Sequence, residues 1–155
     1  MTTGRFDISD NGLELIREFE SFRAEAYLDT VNVPTIGYGT IRYPNPVPVK
    51  LGDRCTRSQA EAYLANDTKA VDAFLDKYIT VDKLNQNQFD ALASFIYNVG
   101  KSAFQASTMY KLLKAGDFKG AAGQFDVWIY DNKKMIEGLK NRRAKEKALF
   151  LKPVK

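Results

Sequence analysis

Histidine is absent from all 155 residues. Its absence removes imidazole general bases, serine and cysteine triads in their common form, and histidine metal ligands. A single cysteine, Cys55, permits no internal disulfide, so stability cannot depend on an oxidising compartment. No window approaches the ~18 apolar residues of a membrane span, and Met1 to Ile8 carries no apolar run of the kind a secretory signal needs. Internal repeats, low-complexity segments and separable linkers are also missing. The expectation is one folding unit, a monomer, made in a reducing cytoplasm and without stable membrane insertion.

What is present suits a packed soluble protein. A chain of this length can bury roughly 68–70% of its unfolded surface. With 45% hydrophobic residues it has the material for a core of that kind. The net charge of +4 gives a mild attraction to polyanions, too small to point to nucleic acid. The basic residues near the C-terminus are scattered, Glu146 lies among them, and no aromatic residues interleave as they do in nucleic-acid grooves.

The stretch from Glu20 to Gly39 stands out. Ser9 is a natural N-cap and Asp10 suits the positive end of a helix dipole, so a helix should begin there. Residues advance roughly 100° each around a helix, and Leu15, Phe19, Ile16 and Leu13 then form one apolar arc. Glu20 falls inside that arc, near the helix end. A carboxyl so placed is partly desolvated, which raises its pKa as a general acid requires, and Glu20→Gln should then melt no lower than the parent. A carboxylate capping the last turn is an equally good reading of the residues alone.

From Asp29 to Pro34, β-branched residues, an Asn and a proline predict strand, turn and strand. In the second strand Thr35, Gly37 and Gly39 would share one nearly bare face, with Ile36, Tyr38 and Thr40 opposite. Glycine inside a strand marks close approach by a ligand or by a neighbouring backbone; both remain open.

The remainder reads as a proline-rich rim followed by helices. Pro44, Pro46 and Pro48 stop regular helix over Ile41 to Lys50. Thr56 with Gln59 is a capping-box pattern, and a helix of about twenty residues should follow. Its apolar stripe runs through Ala60, Tyr63, Leu64, Val71, Phe74, Leu75 and Tyr78. Asp67 on that stripe should bond across to a neighbouring element. Asn85 with Gln88 predicts another cap, ahead of a buried helix carrying Phe89, Leu92, Ala93, Phe95, Ile96, Tyr97 and Val99. Ser107 and Asp117 should cap two more helices, Gly116 ending the first. The second should carry Phe118, Ala121, Ala122, Phe125 and a core Trp128. Asp131 to Lys134 reads as a loop, and a last helix should run from about Gly138 to Leu151. Arg142 and Glu146 are one turn apart and should pair as a structural feature.

These residues resemble the phage-type lysozymes, glycoside hydrolase family 24. The signature is Glu20, Asp29 nine residues on, and Thr35 six later within Thr-Ile-Gly-Tyr-Gly. The likeness continues through Ser94–Gly100, Phe104–Thr108 and Gly138–Glu146. The resemblance implies an α+β, predominantly helical, two-lobed fold: a small β-containing lobe over about 12–56, a connecting helix over about 57–78, and a helical lobe over about 79–155 with the N-terminal helix. It implies Glu20 as general acid, Asp29 and Thr35 holding the attacking water, no cofactor, and substrate contacts at Ile41, Tyr97, Ser107 and Gln124. The substrate implied is bacterial peptidoglycan, cut at the β-1,4 bond between N-acetylmuramic acid and N-acetylglucosamine with inversion. Action on the wall would follow release from the host cytoplasm. This chain departs from the family pattern at Thr40, where histidine is common, and at Ser21 and Asn32, where glycine is common. A lytic transglycosylase, or an inactive wall-binding protein on the same scaffold, is the alternative.

Overall fold

A computed structural model describes residues 7–79, 84–131 and 133–154. The reading of Met1 to Phe6 and of Asn132 lies outside the described residues. In chain order the elements are helix α1 (Asp10–Glu20), strands β1 (Arg23–Leu28) and β2 (Pro34–Gly37), and helix α2 (Arg57–Tyr78). Helices α3 (Gln86–Val99), α4 (Lys101–Gln105), α5 (Thr108–Lys114) and α6 (Phe118–Gln124) follow. A 3-10 turn (Phe125–Val127), strands β3 (Tyr130–Asp131) and β4 (Lys134–Met135), and helix α7 (Glu137–Leu151) complete the fold.

Local chemistry explains most helix starts. Both capping boxes form: the Thr56 hydroxyl accepts from Gln59 N and the Asn85 carbonyl oxygen from Gln88 N, each returned by the glutamine. Ser107 and Asp117 cap α5 and α6 through Tyr110 N and Gly120 N. At Ser9 the backbone position is as expected, but the side chain makes no cap bond. Its hydroxyl and its N–H both donate to Asp90 on α3, which ties the start of α1 to the buried helix.

Three readings are corrected. The short helix α4 was not foreseen; five residues after Gly100 give too little pattern to see. The helix beginning at Phe118 ends at Gln124 and tightens into a 3-10 turn, so Phe125 packs inward while Trp128 leaves the helix. The expected loop over Asp131 to Lys134 contains a small antiparallel hairpin, with Lys133 at a positive φ of 66° in its turn.

Two apolar clusters share α2. Ala60 and Leu64, in its first half, join Ile16 of α1, Ile36 of β2, Tyr38, Val49 and Cys55. Val71, Phe74 and Leu75, in its second half, join the larger cluster built on α3 to α7. There Phe95 meets Phe104, Phe125 and Trp128 edge-on, an arrangement that ring quadrupoles favour. Among the described residues no helix is long and apolar enough to cross a membrane.

The small sheet is pinned on both sides. β1 pairs antiparallel with β2, Tyr27 opposite Thr35, with an irregularity between Arg23 and Tyr27. There the other edge of β1 takes up Asp53 to Cys55, through Ala26 N to Asp53 O and Cys55 N to Ala24 O. The alternation expected beyond Gly37 breaks, because Gly37 and Gly39 both have positive φ and the chain turns back from Ile36 to Thr40.

The two departures from glycine fall at positive φ: Asn32 at 64° and Ser21 at 56°. Asn tolerates its position through local hydrogen bonding. Ser21, with ψ at 141°, adopts a combination that glycine reaches freely and other residues reach only under strain. Ser21→Gly is therefore expected to stabilise by about 1 kcal/mol, raising Tm by about 2–4 °C. A melting curve unchanged or shifted down would contradict this.

Candidate active site

α1 ends by delivering Glu20 to the junction of the two clusters. Its carboxyl is 21% exposed and meets the Arg142 guanidinium at 2.8 Å, Arg142 itself being only 4% exposed. That cation reaches across from α7, and a network fixes it. Arg142 Nε donates to Glu146 at 3.1 Å, and Arg142 also donates to the Ser94 carbonyl and hydroxyl. The Ser94 hydroxyl donates in turn to Glu146 at 2.6 Å. Arg143 completes it by donating to Glu146 and to the Asn98 side chain. The expected Arg142–Glu146 pair is present, yet its reach to Glu20 was missed. A signal existed: two arginines set against one glutamate leave a positive charge that needs another carboxylate.

Gly39 gives Glu20 its room. A β-carbon there would lie 3.1 Å from Glu20 Oε1 and 3.4 Å from the Tyr97 hydroxyl. Gly37 serves packing, since a β-carbon on it would come 3.0 Å from the Ala60 side chain on α2. The reading of close approach by a neighbour is thus realised at Gly37, against Ala60.

Asp29 follows β1 and is held by its own turn. Oδ1 accepts from Val31 N and Val33 N, each at 2.9 Å, an arrangement that Asx turns favour. Oδ2 has no partner among the described residues. Thr35 is buried at 4% exposure, and its hydroxyl donates to the Val33 carbonyl at 2.8 Å. With its proton so engaged, the Thr35 oxygen is left to accept.

Glu20, Asp29 and Thr35 line one cleft of about 610 Å³. Ile41 and Tyr97 line it as well, together with Tyr27, Asp67, Arg42 and Lys101. Neither Ser107 nor Gln124 belongs to that lining; the Ser107 hydroxyl is taken up by its cap and by the Phe104 carbonyl. Tyr97 donates to the Tyr38 carbonyl at 2.9 Å. Burial, reinforced by Asp67 and Glu20, pushes its phenol well above the usual range. The Tyr27 phenol is raised too, by burial first and then by Glu20, with Asp29 adding to it. One ring thus feels both carboxylates.

Asp67 bonds across as expected: Thr40, just past β2, donates to it at 2.7 Å. Burial raises its pKa to about 6, the Thr40 bond opposing the rise. Burial likewise raises Asp72 to about 6, with Asp7, Asp76 and Asp90 adding. A carboxyl whose folded pKa lies above its unfolded 3.8 contributes stability that is full below pH 3.8 and lost as pH rises to about 6. Asp67→Asn is therefore expected to stabilise at pH 7 by about 1–2 kcal/mol, once solvent screening of a partly exposed carboxyl is allowed for. At pH 3.5 the gain should vanish. Denaturant unfolding at the two pH values checks this, and an equal gain at both would refute it.

Residues 17–146 match the family model described as phage lysozyme. The chain is 40% identical over 147 residues to the endolysin of Acyrthosiphon pisum secondary endosymbiont phage 1, spanning 92% of this chain and 97% of that one. Its fold superposes on an endolysin from Escherichia coli O157:H7 phage FAHEc1 with a TM-score of 0.83, 42% identity and 94% of each chain covered. The muramidase domain of SpmX from Asticaccaulis excentricus gives a TM-score of 0.85 at 35% identity, covering 96% of this chain and all of that one. Cleft, signature spacing and likeness over nearly the whole length agree, and the chain belongs to the phage lysozyme family.

Proposed function

We propose that the protein is a peptidoglycan glycosidase that hydrolyses the β-1,4 bond between N-acetylmuramic acid and N-acetylglucosamine. The single observation carrying this reading is the meeting of Glu20, Asp29 and Thr35, from a helix end, a turn and a strand, on one cleft. Glycoside hydrolysis needs an acid at the leaving oxygen and a carboxylate opposite it, on either side of an oxocarbenium-like transition state. Glu20 is the acid: it gives its proton to the glycosidic oxygen as the C1–O bond breaks. Asp29 Oδ2 accepts a proton from the attacking water, whose remaining hydrogen bond runs to the Thr35 oxygen. Water adds at C1 from the face opposite the departing sugar, so the anomeric centre inverts. Asp29 then releases its proton to solvent and Glu20 takes one up, which restores both groups.

Ile41 and Tyr97 supply apolar and aromatic surface to the bound sugars. Ser107 caps α5 through Tyr110 N, and it and Gln124 lie outside the lining of this cleft. We read the fold as two lobes, 12–56 and 79–155 with α1, joined by α2 over 57–78 and flanking the cleft. The enzyme works as a monomer on the wall, after release from the host cytoplasm.

NMR of the first product from purified peptidoglycan tests the chemistry. The α-anomer of a reducing sugar is expected. A 1,6-anhydro sugar would replace this mechanism with the transglycosylase one, and an unlysed suspension would leave a wall-binding protein.

A further inference from the structure

Tyr97 does more in this fold than line the cleft. It sits in the last turn of α3, and its ring packs against both apolar clusters. Its hydroxyl reaches away from α3 and donates to the Tyr38 carbonyl, in the turn that closes from Ile36 to Thr40. Ile36 and Thr40 exchange backbone bonds of 2.9 Å there. The same turn has a second tether, because Thr40 donates to Asp67 on α2 at 2.7 Å. Gly39 lies between the two tethered residues.

The backbone of Gly39 is what meets the general acid. A β-carbon on it would stand 3.1 Å from Glu20 Oε1 and 3.4 Å from the Tyr97 hydroxyl. On the other side of the carboxyl, Arg142 donates to Oε2 at 2.8 Å. With Oε2 facing a cation, the proton that Glu20 gives up is carried by Oε1, the oxygen beside Gly39. The aim of that oxygen therefore depends on where the Gly39 backbone stands. Glycine has no side chain to fix its own position and gives up more conformational freedom than any other residue. Its place is set by the tethers on either side. Burial pushes the Tyr97 phenol well above its usual range, so the hydroxyl keeps its proton and donates throughout the neutral range.

We infer that Tyr97 is a positioning residue whose hydroxyl holds the Tyr38–Gly39 backbone against Glu20 and so aims the acid at the leaving oxygen. This rests on the glycosidase reading and adds to it a residue that acts through Glu20. Ring and hydroxyl then have separable duties. The ring offers surface to the sugar and bears on KM, whereas the hydroxyl acts on the proton transfer and bears on kcat. Misplacing a reacting group by about 1 Å costs on the order of 10²-fold, so a loosened turn should cost a measurable part of that.

Tyr97→Phe keeps the ring and deletes the tether. Reducing ends released from soluble peptidoglycan fragments are followed for the parent, Tyr97→Phe, Glu20→Gln and the double variant, with a thermal melt of each. Tyr97→Phe should lose about tenfold in kcat while KM stays within about twofold of the parent. In the Glu20→Gln background the same change should cost less than about twofold, because effects exerted through one group do not add. If Tyr97→Phe melts below the assay temperature, Thr40→Val takes its place, since it cuts the second tether and leaves Tyr97 whole. The same pattern is then expected. Parental kcat in the folded variant overturns the inference. A loss confined to KM also overturns it and makes the hydroxyl a sugar contact. So does an equal loss with and without the Glu20 carboxyl, which is what a general weakening of the fold produces. A parent that releases no reducing ends overturns the glycosidase reading itself, and this inference with it.

Discussion

Glu20→Gln is expected to lower the rate of peptidoglycan cleavage by about 10³-fold, within the range general acid catalysis supplies. The amide keeps the shape of the side chain and an oxygen for Arg142 to donate to, but has no proton of carboxylic acidity to give to the leaving sugar. Stability should also fall, by about 1–2 kcal/mol. The network around Glu20 contains two arginines, Arg142 and Arg143, and two carboxylates, Glu20 and Glu146. Removing the charge of Glu20 leaves one buried cation in excess. Glu20 is partly exposed and Gln still accepts a hydrogen bond, so the loss is smaller than for a wholly buried pair. The charge network thus predicts the opposite of the sequence-based expectation of an equal or higher Tm, which treated the carboxyl as desolvated and alone. A variant that retains more than a tenth of parental activity would remove Glu20 from the mechanism.

What was readable in the chain divides by the range of the interaction. Thr56 with Gln59, Asn85 with Gln88, Ser107 and Asp117 were all legible, because each helix start is decided by groups three residues apart. The start of α7 also lies within one residue of the expected Gly138, although no side chain caps it. Ser9 shows the limit. Its backbone caps α1, but the hydroxyl is claimed by Asp90, 81 residues away, and no local pattern signals that. Glu20 and Arg142 are 122 residues apart. The site's residue types and spacing could be seen in the sequence, whereas the cation that holds its acid could be suspected only from the charge count of the C-terminal motif. The same reason hid part of the cleft lining. Tyr27, Arg42, Asp67 and Lys101 come from four elements or connections, and only the packing of α2 against both clusters brings them to one surface.

Asp29→Asn should separate catalysis from folding more cleanly than any change at Glu20. Asp29 uses Oδ1 to hold its turn, through Val31 N and Val33 N, and leaves Oδ2 unpartnered among the described residues. Asparagine keeps the first oxygen, so the turn and the β1–β2 register should persist, and Tm should stay within about 2 °C of the parent. The second oxygen becomes an NH₂ group, which donates where the attacking water needs an acceptor. Without that acceptor, water has no base to take its proton as it adds to C1, and the rate should fall by about 10²- to 10⁴-fold. The neighbouring hydroxyl provides a graded control. Thr35→Ser keeps the donor to the Val33 carbonyl and the free acceptor, while Thr35→Ala removes both, so a water-holding role predicts that serine retains far more activity than alanine. The two alternatives give different results with the same proteins. A transglycosylase needs no attacking water, because the sugar's own hydroxyl closes on C1, so Asp29→Asn would then keep parental turnover. If Asp29 instead formed a covalent glycosyl intermediate, the parental product would carry retained β configuration. Loss of turnover in a protein that melts normally, from a parent that releases the α-anomer, is the joint result that assigns Asp29 to the water.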